Sequence, residues 1–312
     1  MQTKNISKNR IGKWLFTALL TAVFALSAAA AIGLPKNVAQ RTAHAAAGAP
    51  DTSWYDGHES DTVFDISTPA ELAGLASLIT GSLSFTGKTI NLIADIDLEI
   101  GGFGTDYNDS KGWIPIGTST SASFQGAFNG GGHEISGLYI KDGGNDFAGL
   151  FGCVEDLGTV ENLSVRGTVE ARGDRMGSGG GTGGIVSLLR GSVKNCRSFV
   201  NVTAYNSGMP IAGGIAGYLS RTGKISDCYA ECEISTLFFG GGIAGFWYND
   251  NPGSYPTGGI FNCMTVCKVT VTGAGTSSSC YAGGIIGNGG QCPVKDCIAL
   301  GESLHDPASL AI

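Results

Sequence analysis

Nine cysteines, three histidines after residue 45 and a scatter of carboxylates are the side chains of this 312-residue chain from which thiol, metal or acid–base chemistry could be built. Cys228, Cys232, Cys263 and Cys267 form two Cys-x3-Cys pairs, a spacing compatible with a tetrathiolate zinc site. Against zinc, Cys196, Cys228, Cys263 and Cys297 follow one another at 32, 35 and 34 residues, and Leu163 stands 33 residues before the first of them. A place that accepts Leu or Cys is an apolar interior site of limited size. The four sulfurs are therefore expected to be a stacked structural ladder, with no metal. Cys232 and Cys267 each lie four residues after a ladder cysteine, and even spacing on a strand returns to the same face. Cys280 and Cys292 bracket a Gly-rich loop and are the pair best placed for a disulfide, whereas Cys153 has no obvious mate.

Carboxylate chemistry is weakly supported. Glycoside hydrolysis needs two carboxylates facing one groove, and a lyase needs calcium held by carboxylates beside a base. Glu155, Asp156, Glu161, Glu170, Asp174, Glu231, Glu233 and Asp250 do not recur on one strand face. The densest group, Asp95, Asp97, Glu99, Asp106 and Asp109, lies near a single Gly-Gly-x-Gly-x-Asp string ending at Asp106. Calcium sites of that kind form between consecutive copies, so a solvated loop is the better reading. A polar residue precedes each ladder position: Asn162, Asn195, Asp227, Asn262 and Asp296. Three of the five are amides, which excludes a catalytic carboxylate row; Asn and Asp tolerate positive φ and suit stacked corners. No catalytic residue and no cofactor is assigned. For binding, the insertion between Gly245 and Gly258 offers Trp247, Tyr248 and Tyr255, and rings on a rigid scaffold are a usual way to hold sugar or protein. The alternative is that these rings pack over the flank.

All of these residues sit on a repeat. Its Gly-rich phrase reads Ala148-Gly149-Leu150-Phe151-Gly152, Gly183-Gly184-Ile185-Val186-Ser187, Gly213-Gly214-Ile215-Ala216-Gly217, Gly241-Gly242-Ile243-Ala244-Gly245 and Gly283-Gly284-Ile285-Ile286-Gly287. The Asn/Asp mark recurs every 32 to 35 residues, while the apolar residue of the Gly phrase drifts between 28 and 42. Such a period means units that cannot bury their own apolar faces and are stable only when stacked. Short strands, Gly, Asn and Asp corners, and matching side chains at matching positions predict an all-β, right-handed parallel β-helix. Its coils should lie about 4.8 Å apart, with right-handed crossovers.

Upstream, Thr68 as N-cap, Pro69 at the first helical position and Glu71 closing a capping box begin a helix with Leu72, Leu75, Ala76 and Ile79 on one face. It is expected to cap the first coil. Residues 89–98 alternate as a strand. Residues 1–45 read as a signal peptide, with Lys4, Lys8, Arg10 and Lys13 before an apolar stretch at 14–32 and Ala43-His44-Ala45 at the cleavage position. The organisation that follows is a signal at 1–45, a linker at 46–62, the cap and first coils at 63–146, and regular coils at 147–312. The coils are expected to continue past the chain end, because nothing after Cys297 reads as a second cap. Removing the leader takes six Lys and Arg and no acid, so the formal charge falls from −7 to −13. An acidic chain without a basic cluster is a poor binder of nucleic acid or anionic lipid. The expected partner is an unknown glycan or protein ligand at the cell surface, with no membrane insertion after signal cleavage.

The Ala148 phrase, the recurring Gly-Gly-Ile-x-Gly and the lead-in Phe124-x-Gly126-x-Phe128-Asn129-Gly130-x-Gly132-His133-x-Ile135-x-Gly137-Leu138 closely resemble bacterial exported proteins carrying the GLUG motif. The similarity spans roughly residues 63–300. Such segments occur in adhesin-like surface proteins and in the non-catalytic part of immunoglobulin A1 protease relatives, so the resemblance implies an architecture more than an activity. A zinc peptidase would need His-Glu-x-x-His. His58-Glu59 and His133-Glu134 are followed by Thr62 and Gly137 where the second histidine belongs, and the remaining histidine is His305. The expectation is a secreted or cell-surface scaffold or adhesin-like module without catalysis of its own. The alternative is a carbohydrate-active β-helix enzyme, a polysaccharide lyase or glycoside hydrolase.

Overall fold

In the computed structural model the described residues are 48–141, 146–172, 180–205, 208–249, 251, 253–273 and 280–305, all within one compact unit, Ala45–Ile312. The expected leader, and Asp174 and Asp250 with it, lie outside them. Each regular coil visits four sheets, numbered here I to IV in the order the chain meets them. Sheet I holds Thr182–Gly183, Ile211–Gly213, Phe239–Gly241 and Tyr281–Gly283. Sheet II holds Phe151–Val154, Val186–Leu189, Ala216–Ser220, Ala244–Tyr248 and Ile286–Asn288. Sheet III, with eight rungs, runs from Val63–Ile66 to Val294–Lys295. Sheet IV carries the longest strands, Glu134–Lys141, Ser164–Ala171 and Arg197–Ala204, and splits into paired short strands in later coils. All strand pairings within these sheets are parallel, so the chain is a parallel β-solenoid.

Stacking in register places like on like. One inward column of sheet III reads Phe64, Ile90, Phe128, Val160, Val193, Ile225, Ile260, Val294. Its first seven members are buried and belong to one continuous core, while Val294, on the last rung, is exposed. The interior is thus filled by side chains from every coil, and no unit could desolvate these residues alone.

The Gly phrase is explained by clearance. Sheets I and II approach so closely at this corner that a Cβ on Gly213 would land on the carbonyl of Ala216, and one on Gly214 would land on the carbonyl of Gly242 in the next coil. The same collision recurs between Gly242 and Gly284, and a Cβ on Gly217 would stand 2.6 Å from the Thr182 amide. None of these glycines has positive φ. Between them Leu150, Ile185, Ile215 and Ile243 point into the core.

Helix α1, Pro69–Thr80, is capped as its sequence implies: the Glu71 amide donates to Thr68 Oγ1 at 3.2 Å and the Thr68 amide donates to the Glu71 carboxylate at 2.9 Å. Leu72, Leu75, Ala76 and Ile79 join the solenoid core. Two local features differ from expectation. The alternation over 89–98 is divided into Thr89–Leu92 in sheet III and Ile96–Asp97 in sheet IV, because a corner with exposed Ile93 intervenes without disturbing the period. A further helical turn α2, Tyr107–Ser110, carries Asn108 and Asp109 at positive φ, residue types for which that conformation is tolerable.

Candidate binding surface on the outer wall

The corner between sheets III and IV is set by the Asn/Asp row. Asn162, Asn195, Asp227, Asn262 and Asp296 have φ of 56, 51, 58, 52 and 57°. Their side chains form a vertical chain of hydrogen bonds in which each Nδ2 donates to the oxygen one coil earlier. Asn91 donates to Asp65, Asn162 to Asn129 at 3.0 Å, Asn195 to Asn162 at 2.8 Å and Asn262 to Asp227 at 2.7 Å. Where Asp replaces Asn the side chain has no donor, so the run of hydrogen bonds is interrupted between Asp227 and Asn195 and between Asp296 and Asn262. The hydrogen bond from Asn262 is the main reason the Asp227 carboxyl titrates below its ordinary range.

One residue on, Leu163, Cys196, Cys228 and Cys263 are buried, and Cys297, on the last coil, is half-buried. Each ladder thiol points back at the carbonyl two residues earlier, at 3.1 to 3.3 Å. Hydrogen bonding with Cys196 and burial push the Cys228 thiol up. Cys232 and Cys267 form a second, shorter column with their sulfurs 2.9 Å apart. No bond joins Cys280 to Cys292 in this structure, where all nine cysteines stand as free thiols. Cys280 turns toward Gly273, on the approach to sheet I, and Cys292 turns toward the Pro293 carbonyl, on the approach to sheet III. Bracketing one loop therefore does not bring the two thiols together. Among the described residues no three His, Cys, Asp or Glu side chains gather where they could hold a metal ion.

Several of the acids named from the sequence are tied into local structure. Glu155 pairs with Arg190 of the next coil at 2.7 Å, and Asp156 accepts from the Thr222 hydroxyl at 2.7 Å. Asp97 accepts from the amides of Glu99 and Ile100, and Glu99 accepts from the Thr105 amide and hydroxyl. Asp95 is held below the ordinary carboxylate range by the Glu134 amide and then by His133, whose Nδ1 lies 3.0 Å away. His133 is thus a wall residue bound to the preceding coil.

The three proposed binding rings separate. Trp247 is 6 % exposed and continues the inward column Val154, Leu189, Leu219 of sheet II, so it packs in the core, the alternative the sequence left open. The insertion begins one residue later, and Tyr248 and Tyr255 are 44 % and 91 % exposed. Tyr248 lies 5.9 Å from Tyr218, at the edge of a second buried cluster between sheets I and II that includes Leu188, Ile211, Tyr218, Phe239 and Phe246. Tyr281 stacks on Phe239 at 5.9 Å with its other face half-exposed.

A second surface was not anticipated. On the outer face of sheet IV, Arg166 lies over the Phe199 ring at 4.5 Å, Phe199 meets Tyr229 edge to face at 6.0 Å, and Tyr229 Oη donates to Glu231 at 2.7 Å. That hydrogen bond is the main reason the phenol is pushed up to about 12. Phe199, Tyr229 and Glu231, with Asp227, Asn262 and Met264, line a shallow groove across three coils. The available sequence signal was strand parity: Phe199 and Tyr229 stand at outward positions, where a solvated wall has no need of aromatic side chains.

No protein-family model matches the chain. Over 172 residues, 54 % of the chain, it is 29 % identical to halomucin of Haloquadratum walsbyi, and over 124 residues, 38 % of the chain, it is 33 % identical to a Gly-rich membrane protein of Evansella cellulosilytica. These matches cover 2 % and 13 % of the relatives, so the chain spans a small part of the curated proteins it matches. A crystal structure of a Bacteroides ovatus protein named as an immunoglobulin A1 protease is similar over 75 % of this chain and 74 % of that one, with a TM-score of 0.50. At 19 % identity that likeness establishes the shared solenoid fold and no more.

Proposed function

We propose that the chain is an exported, cell-surface repeat module of the GLUG type that binds a glycan on its outer wall and has no catalysis of its own. The observation that carries this reading is the groove of sheet IV, where rings stand beside hydrogen-bonding acids and amides on a scaffold whose interior is closed by core packing. Sugars are held by just this pairing of a flat apolar face with in-plane acceptors and donors. Tyr248 and Tyr255, on the insertion between sheets II and III, are further exposed rings that could take part. The names of the relatives, a halomucin and a Gly-rich membrane protein, support a surface setting.

The test is binding of the purified chain to immobilised and soluble polysaccharides, with melting temperature as a folding control. Tyr229→Ala, and Tyr248→Ala with Tyr255→Ala, should each weaken binding by about tenfold while the fold is kept. Unchanged binding in both ring variants would remove these surfaces from consideration. New reducing ends or unsaturated products would replace the scaffold reading with that of a carbohydrate-active enzyme.

A further inference from the structure

Two columns of cysteines run through the solenoid, and they are built differently. In the corner column Cys196, Cys228 and Cys263 repeat one orientation, each Sγ leaning on the carbonyl two residues back. Residues that repeat an orientation keep their sulfurs about one coil spacing apart, roughly 4.8 Å. Cys232 and Cys267 immediately precede Glu233 and Lys268, which are paired in register, so they face each other across successive coils. Their sulfurs nevertheless converge to 2.9 Å. That is well inside the roughly 3.5–4.0 Å at which non-bonded heavy atoms pack. A covalent S–S bond of about 2.05 Å is less than about 1 Å of movement away, and the spacing of adjacent strands lies within the Cα separation that disulfides span.

We propose that Cys232 and Cys267 form a disulfide that staples two successive coils. The reaction is thiol–disulfide exchange. A thiolate from one cysteine attacks an oxidised disulfide partner, and the second cysteine then displaces that partner as a thiol. Two protons and two electrons leave this chain, the oxidant becomes two thiols, and one Sγ–Sγ bond is gained. In the folded state the neighbouring sulfur and burial push the Cys232 thiol up, so the closed site is a poor nucleophile. Oxidation therefore belongs to folding, before the later coil has docked. The segment between the two cysteines, which stand 35 residues apart, carries Phe239, Phe246, Tyr248 and Tyr255, so the staple fixes the coil that displays the exposed rings.

The full chain is refolded from denaturant with reduced and oxidised glutathione, alkylated and mapped by mass spectrometry. Supplying the oxidant separates this test from where the chain works and from what it binds. The expected product is about 2 Da lighter than the reduced chain, with one peptide pair joined through Cys232 and Cys267. Its melting temperature should exceed that of the reduced chain by about 5 °C. Cys232→Ser, Cys267→Ser and the double variant should lose that difference equally, and Cys228→Ala should retain it. Full alkylation of both cysteines in the oxidised sample, or linkage of either to another cysteine, would overturn the proposal. The wild-type peptide map decides the matter even if a serine variant fails to fold.

Discussion

In the phrase Gly213-Gly214-Ile215-Ala216-Gly217 a side chain on the second glycine would strike the backbone of the next coil, and the collision repeats at Gly242. Gly242→Ala is therefore expected to destabilise the chain by about 2 kcal/mol or more in a urea titration, since carbonyl and wall must move together. Gly253→Ala, whose Cβ would meet only Asn251 Oδ1 at 3.9 Å, should stay within about 0.5 kcal/mol. The Asn/Asp row gives a prediction of opposite sign. Asp227→Asn supplies the missing donor to Asn195 and keeps the bond from Asn262, so its melting temperature should rise. The pH profile separates this from a general loss of charge. The folded Asp227 titrates below 3.8, so its contribution is present above that value and lost as pH falls through the depressed one. The Asn variant should lack that acid-side loss, and a rise that vanished at neutral pH would refute the account. Trp247→Ala should cost about 3 kcal/mol, as for any large buried ring, while Tyr255→Ala should stay within about 0.5 kcal/mol, both by chemical denaturation. The corner residues were legible because few residue types tolerate positive φ. Trp247 was not legible as core, because proximity to an insertion stood against its register with Leu189 and Leu219.

Helix α1 was legible to its first residue, because capping is local chemistry and Thr68, Pro69 and Glu71 suffice to write it. Thr68→Ala should lower stability by about 1 kcal/mol in the same titration, since the Glu71 amide then loses its acceptor. The strand over 89–98 was legible as an alternation but not as two elements. A solenoid corner of three residues leaves the parity of the flanking strands intact, so periodicity alone cannot mark it. The tight contact of sheets I and II was likewise hidden. A glycine needed for clearance and one needed for positive φ are the same letter, and only the neighbouring backbone tells them apart.

Across the molecule, burial falls off toward the last coil: Val294 is 43 % exposed whereas Val193, Ile225 and Ile260 in the same column are buried, and Ile285 is half-buried where Ile243 and Ile215 are closed over. In a chain whose units contact only their neighbours, opening should begin where a neighbour contributes least. Amide hydrogen exchange should therefore be fastest in Tyr281–Gly283, Ile286–Asn288 and Ile298–Ala299, and slower toward Ser164–Ala171. Uniform protection along the axis would contradict this. Sheet III, by contrast, keeps one column through eight rungs despite loops of unequal length. The glycine contacts at the corner of sheets I and II lie within one coil or reach the adjoining coil, and none reaches further. Length is therefore a free variable of this design. Inserting or deleting a whole repeat would move everything beyond it by about 4.8 Å along the axis and leave each remaining junction as it was. Repeat number therefore acts as a ruler that sets the length of the outer wall in steps of one coil.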